Sequence, residues 1–205
     1  DILVNNAGTS VRGHVYDVDP EKFRSVIDVH LFGTFNCTRH AAPHMKDQGW
    51  GRIVNMVSRA GLWGAPGTVA YGSAKGAIFG FTNVVARDLA PFGITVNGIN
   101  PAAMSTRMVL ESVERSRTAG QITPMQERML QVVQPPEDVA VVAAYLCTEE
   151  SKDINGQYFM VHGSQVGWFQ PLTISKNAFK DGRWTPEELA TAISKFEIPP
   201  LQDLY

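Results

Sequence analysis

An α/β fold built on a doubly wound parallel sheet is predicted by three observations. Short apolar runs rich in β-branched residues recur along the 205-residue chain, each ends in turn residues, and the segments between them space their apolar residues as helices do. Strands alternating with helices of this size imply right-handed crossovers and helices on both faces of the sheet. With 44% hydrophobic and 19% charged residues, the chain has the makeup of one ordinary domain able to bury a sizeable core.

The opening run Asp1-Ile2-Leu3-Val4-Asn5-Asn6 reads as a parallel strand buried on both faces. A fold rarely begins on its most buried strand, so a preceding segment is expected. Asp19 then caps a helix that Pro20 opens and Glu21 charges favourably, and Phe23, Val26, Ile27, Leu31, Phe35 and Ala42 keep helical spacing to about Met45. Gly49, Trp50 and Gly51 mark a turn before a second buried strand, Arg52 to Ser58. A loop from Gly61 to Gly67 leads into a helix from Val69 to about Ala90, stopped by Pro91-Phe92-Gly93. Ile94 to Asn100 is a third strand, closed by Pro101.

From Ala102 to Gln134 the chain is rich in Met, Arg and Gln with intermittent helical spacing, and reads as a mobile flap. Pro135-Pro136-Glu137-Asp138 opens a helix from Val139 to Cys147, and Gln157 to Val161 is the last of four predicted strands. Trp184-Thr185-Pro186-Glu187-Glu188 is a further capped helix start. Residues 1–170 are read as the α/β part, and 171–205 as an extension packing on the same domain.

Composition narrows the function. A net charge of -2 and the absence of long basic runs argue against nucleic acid or an anionic membrane surface as partner. No apolar stretch approaches the length of a membrane span, and the first residues lack a secretory or transit pattern. A cytoplasmic location is expected, with the peroxisome or another organelle left open. Cys37 and Cys147 are read as free thiols of a reducing compartment, no residue cluster has metal-ligand spacing, and no Gly-x-Ser-x-Gly supports a hydrolase.

The chemistry lies in Ser58, Tyr71 and Lys75. Tyr71 and Lys75 stand at i and i+4 near a helix start, so phenol and ammonium share a face, and a nearby cation should lower the Tyr pKa towards the working range of a general acid or base. Ser58 ends the strand that feeds this helix and can reach the same crevice. A Tyr-x-x-x-Lys pair alone is weak, but its conjunction with a strand ending in Asn5-Asn6-Ala7-Gly8 and a strand ending in Ser58 is specific.

On the stretches Asp1 to Gly8, Gly51 to Ser58, Tyr71-Gly72-Ser73-Ala74-Lys75 and Ile94 to Pro101, the chain resembles the classical short-chain dehydrogenases/reductases, a likeness that runs to about Gly163. The resemblance implies a Rossmann-like domain in which Tyr71 moves the hydroxyl proton, Ser58 orients the substrate oxygen, and Lys75 tunes Tyr71 and holds the ribose of NAD or NADP. It implies also that Asn6, Ala7 and Gly8 line the cofactor and that Met104 and Thr106 meet its nicotinamide end. A homodimer or homotetramer is expected, from apolar residues on more than one face of the two long helices and from the pairing seen in the family.

Three departures stand out. The family's Gly-rich phosphate loop, Thr-Gly-x-x-x-Gly-x-Gly, is absent, so the N-terminal strands and helices, roughly 80 residues of a mononucleotide-binding half, are expected to lie upstream. His30 stands where the family usually has a relay Asn; it either holds a relay water or is simply satisfied inside the helix. Pro101-Ala102 replaces the usual Pro-Gly, which should stiffen the entry to the flap. The Asp28-Val29-His30 segment and the tail from Gly163 are similar to the (3R)-hydroxyacyl-CoA dehydrogenase unit of multifunctional β-oxidation enzymes, with related steroid dehydrogenases sharing the look. Trp63, Met104, Met108, Val109 and Leu110 are candidate walls for an apolar small-molecule substrate, or else plain core. The alternative to an oxidoreductase is a non-catalytic scaffold or a fragment without cofactor affinity.

Overall fold

The computed structural model describes residues 1–198 except 103, 106, 119, 121, 123–126, 128, 129, 131, 132 and 171. Five strands form one sheet: β1 (Ile2–Asn5), β2 (Gly51–Met56), β3 (Ile94–Pro101), β4 (Tyr158–His162) and β5 (Gln165–Trp168), in that spatial order. β1 to β4 run parallel and β5 returns antiparallel to β4. Between them lie α1 (Pro20–Ile27), α2 (Gly33–Gln48), α3 (Ala60–Trp63), α4 (Val69–Leu89), α5 (Arg107–Thr118) and α6 (Glu137–Tyr145). Residues 1–169 form one compact unit. Residues 170–205 form a second, whose helix α7 (Pro186–Ser194) carries the full capping box of Thr185 and Glu188.

Period-two alternation sends the strand side chains to two cores. Ile53, Ile94 and Val96 meet Met45 of α2 and Ala86 and Leu89 of α4, while Val54, Ile99 and Val161 meet Val139 of α6 and Leu146 on the other face. This is the doubly wound parallel sheet expected from the sequence. β1 corrects one detail. Its Leu3 packs on the α2 side, whereas Ile2 and Val4 are 52% and 43% exposed, with no helix among the described residues covering their face at this sheet edge.

Three further differences have local causes. The long first helix is broken by a π-helical turn, Asp28–Phe32, between α1 and α2. Such an insertion leaves apolar spacing nearly intact, which hides it from the periodicity. β5 is a fifth strand beyond the four expected, paired to β4 through a two-residue Gly163-Ser164 loop with Gly163 at φ +57, the geometry glycine supplies at a hairpin corner. Part of the segment expected as a flap is the regular helix α5.

A polar ladder crosses the core. Asn5 and Asn55 are neighbours in register; Asn5 Nδ2 donates to Asn55 Oδ1 (2.8 Å) and to Thr38 Oγ1 of α2 (3.3 Å), and Asn55 Nδ2 donates to Thr82 Oγ1 of α4 (2.8 Å). Two helices and two strands are thereby locked in one register. Among the described residues, no helix is long and apolar enough to cross a membrane. Asn55→Ala breaks the ladder at its centre and is expected to lower unfolding stability by about 2–3 kcal/mol; urea denaturation measures it, and a loss below about 0.5 kcal/mol would show that the ladder carries no stability.

Candidate active site

β2 runs out at Met56, and Val57 N–H still reaches back to Ile99 O, so Ser58 emerges at the carboxyl end of the sheet. The chain then turns at once into α3, with Ser58 Oγ accepting from Ala60 N–H at 3.2 Å and Ser58 O from Gly61 N–H at 2.9 Å. α3 lies against the first turns of α4 at a distance only glycine permits. A Cβ on Gly61 would fall 2.4 Å from Gly76 N and 2.5 Å from the Lys75 carbonyl carbon. This contact of backbone on backbone carries Ser58 to the α4 face that holds Tyr71 and Lys75.

There the three side chains meet. The Ser58 side chain approaches the Tyr71 phenol closely enough to favour its phenolate form. Lys75 Nζ lies 5.7 Å from the Tyr71 ring centre and donates to Met56 O at 2.6 Å. His30 presents its ring edge-on to Tyr71, with centroids 5.5 Å apart and planes at 80°. The π-helical turn directs this imidazole inward, leaving it 2% exposed. Its Nε2 stands 2.8 Å from Thr9 O and 3.1 Å from Thr9 N, so it pairs with the backbone that follows Asn6-Ala7-Gly8 in either tautomer. Gly8 makes room for the ring: a Cβ there would lie 2.6 Å from His30 Cε1.

Burial sets the charges. It pushes the Lys75 ammonium down to about 8, and it lowers His30 as well, helped by the positive charge of Lys75. Tyr71 corrects an expectation. Its pKa is raised, because desolvation of the phenolate outweighs the favourable influence of Ser58; the Lys75 ammonium donates to Met56 O. In this state Tyr71 is a neutral phenol that holds its proton.

The other candidates divide. Asn6, Ala7 and Gly8 follow β1 at the carboxyl edge of the sheet beside His30. Met104 is 4% exposed within the cluster of Val54, Ile99 and Leu146, so its side chain is core and not pocket wall. Trp63 is 43% exposed and packs its ring 6.1 Å from that of Phe169, Leu110 is exposed on α5, and Val109 is half-buried. Thr106 and the Met108 side chain lie outside the described residues. Sequence reasoning missed Asn100, whose Oδ1 accepts from Arg59 N–H at 2.7 Å and so holds the backbone next to Ser58. It missed Gly61 too, though a glycine three residues after the serine, with Gly72 and Gly76 on the facing helix, is a readable sign of close packing.

The residues fit a nicotinamide dinucleotide. Among the described residues, one of the three ammonium donors of Lys75 has a partner, which leaves donors for a ribose diol, and the glycine at position 8 lets backbone come close.

Comparison with known proteins agrees. A family model for short chain dehydrogenase matches residues 1–117. D-beta-hydroxybutyrate dehydrogenase of Cupriavidus necator is 34% identical over 177 residues, covering 82% of this chain and 67% of that protein. A hydroxyacyl-CoA dehydrogenase of Mycobacterium tuberculosis is 33% identical, covering 96% of this chain and 62% of its own length. Among solved structures, a short chain dehydrogenase from Mycobacterium avium superposes with TM-score 0.79 at 29% identity over 98% of this chain and 66% of that one. The full-length peroxisomal multifunctional enzyme type 2 of Drosophila melanogaster gives TM-score 0.75 at 29% identity over 94% of this chain and 33% of that one. The chain thus spans 62% to 67% of the length of these two curated relatives.

The buried ammonium yields a stability prediction. With Lys75 at about 8 in the folded chain against an ordinary 10.5, the unfolded chain binds more protons between those values, so stability rises with pH across that window. Lys75→Met should therefore raise stability at pH 7 by about 1–3 kcal/mol and remove the rise. Urea unfolding from pH 7 to 10 checks this, and an unchanged pH slope in the variant would contradict it.

Proposed function

The chain belongs to the short-chain dehydrogenase/reductase family, and on that premise we propose that it is the catalytic part of an oxidoreductase moving hydride between NAD or NADP and the hydroxyl or carbonyl carbon of an apolar substrate, a 3-hydroxyacyl-CoA or a steroid-like alcohol. The observation that carries the reading is the convergence of Ser58 and Lys75 on the half-buried phenol of Tyr71. The named activities of the hydroxybutyrate and hydroxyacyl-CoA dehydrogenases, and of a 3alpha-hydroxysteroid dehydrogenase from Mediterraneibacter gnavus that is 34% identical over 165 residues, support the substrate class.

When bound, the nicotinamide supplies or accepts the hydride. Asn6, Ala7 and Gly8 would line it, with Lys75 on its ribose and the backbone around Met104, with Thr106, towards its ring end. Ser58 Oγ orients the substrate oxygen by a hydrogen bond. In reduction the Tyr71 phenol gives its proton to that oxygen, and in oxidation the phenolate takes it back. A Lys75 ammonium released from Met56 O towards the phenol favours the phenolate and makes the oxidative direction accessible. His30 holds the Thr9 backbone and stands at the edge of Tyr71, where it completes the catalytic group.

The protein is assigned to a reducing compartment, the cytoplasm or an organelle such as the peroxisome, in keeping with the free thiols of Cys37 and Cys147. Its partners are copies of itself, in a homodimer or homotetramer. Phe32 and Phe35, 52% and 40% exposed around the start of α2, and Val84 of α4, 58% exposed, are apolar surface available for that pairing.

Tyr71→Phe in the full-length protein is expected to reduce turnover at least about a hundredfold while leaving cofactor affinity within about twofold. Steady-state kinetics with cofactor titration decides; retention of more than about a tenth of the rate would remove Tyr71 from proton transfer. Sedimentation at micromolar concentration should show a dimer or tetramer, and a monomer alone would contradict the self-association.

A further inference from the structure

Beyond the catalytic group, the loop from Val11 to Asp19 forms a cavity of about 550 Å³ with Pro66 and Gly67, lined also by Arg12, His14 and Lys22. The cavity is tied to the active site through the backbone. Gly13 N–H donates to Gly67 O at 3.0 Å and Gly13 bridges to Thr68, the residue before α4, whose first turn carries Tyr71. Tyr71 follows Gly67 by four positions, at most about 14 Å of chain.

Two cations face this space without internal partners. Among the described residues, neither the Arg12 guanidinium nor the Lys22 ammonium makes a hydrogen bond or ion pair, and both residues are exposed. The two carboxylates of the lining are each engaged with backbone: Asp17 Oδ1 accepts from His14 N–H at 2.6 Å, and Asp19 Oδ1 caps α1 through Glu21 N–H at 2.8 Å. The same turn carries a flat platform. The rings of His14 and Tyr16 stack with centroids 5.2 Å apart and planes within 7°, and Tyr16 is 81% exposed. An exposed, pre-stacked aromatic pair beside two unpaired cations is the chemistry that takes a nucleobase on the ring and phosphates on the charges.

We propose that this cavity receives the nucleotide end of a coenzyme A thioester, with the adenine on Tyr16 and the phosphates on Arg12 and Lys22. The pantetheine arm, a long flexible chain of single bonds, then bridges the short distance to an acyl hydroxyl or carbonyl at Ser58 and Tyr71. The inference rests on the oxidoreductase reading of those two residues and narrows its substrate to a thioester carrying a nucleotide.

The test compares two thioesters of 3-hydroxybutyrate on the full-length protein, one with coenzyme A and one with N-acetylcysteamine, which lacks both phosphate and base. Arg12→Gln with Lys22→Gln, and separately Tyr16→Ala, should each raise KM for the coenzyme A ester about tenfold with kcat unchanged, and leave KM for the short ester and for the dinucleotide unchanged. Added salt should raise KM for the coenzyme A ester in the unmodified protein far more than in the double variant. A KM that rises equally for both esters, or for neither, overturns the proposal. So does turnover of an acyl-carrier-protein thioester that ignores Tyr16 while the coenzyme A ester is refused. If neither thioester reacts but another alcohol is oxidised in a Tyr71-dependent way, the nucleotide site fails while the oxidoreductase reading stands. Absence of any Tyr71-dependent turnover would instead sink that reading.

Discussion

The approach of α3 to α4 is the contact on which the site depends. Strand β2 delivers Ser58 to the end of the sheet, but the serine reaches Tyr71 only because Gly61 lets the following turn settle directly on the backbone of Lys75 and Gly76. Any side chain at Gly61 would hold the two segments apart by more than a hydrogen bond tolerates. The sheet itself supplies the other half of the constraint. With Asn5, Asn55, Thr38 and Thr82 joined across strands and helices, α4 has no freedom to slide along β2, so the heights of Ser58 and Tyr71 are matched.

Within that frame the candidate catalytic groups are poorly solvated, and their protonation follows. A phenol, an ammonium and an imidazole share one poorly solvated corner, where desolvation makes each resist bearing charge and the Lys75 ammonium adds to the penalty on His30. The stability given up by burying Lys75 is a familiar feature of functional sites, where structure is over-determined elsewhere to hold an unfavourable group in place. The π-helical turn is part of this device. It rotates His30 inward to grip Thr9, and so couples the helix beneath the site to the turn expected to line the cofactor.

Much of this was legible in the residues alone. The alternation of β-branched runs with helical spacing predicted the parallel sheet, and the i, i+4 placement of Tyr71 and Lys75 after a strand ending in Ser58 predicted their meeting. What escaped has physical reasons. A π-helical insertion preserves apolar spacing, so Asp28–Phe32 read as plain helix. β5 is four residues long, and its Gly163-Ser164 corner was the only signal for it. Exposure of β1 depends on which neighbours cover its face, which a single strand's residues do not record. Met104 is apolar in core and in pocket alike, and only packing tells them apart. The direction of the Tyr71 shift was misread because spacing locates a cation without recording how far the phenolate is desolvated or that Met56 O will bind the ammonium.

The account is tested most directly by a crystal structure of the full-length protein with a nicotinamide dinucleotide and a substrate-like alcohol. It predicts one alcohol oxygen within hydrogen-bond distance of both Ser58 Oγ and Tyr71 Oη, with Lys75 Nζ turned from Met56 O to the ribose. An alcohol bound elsewhere, or a crevice at Tyr71 closed by packed side chains, would contradict it.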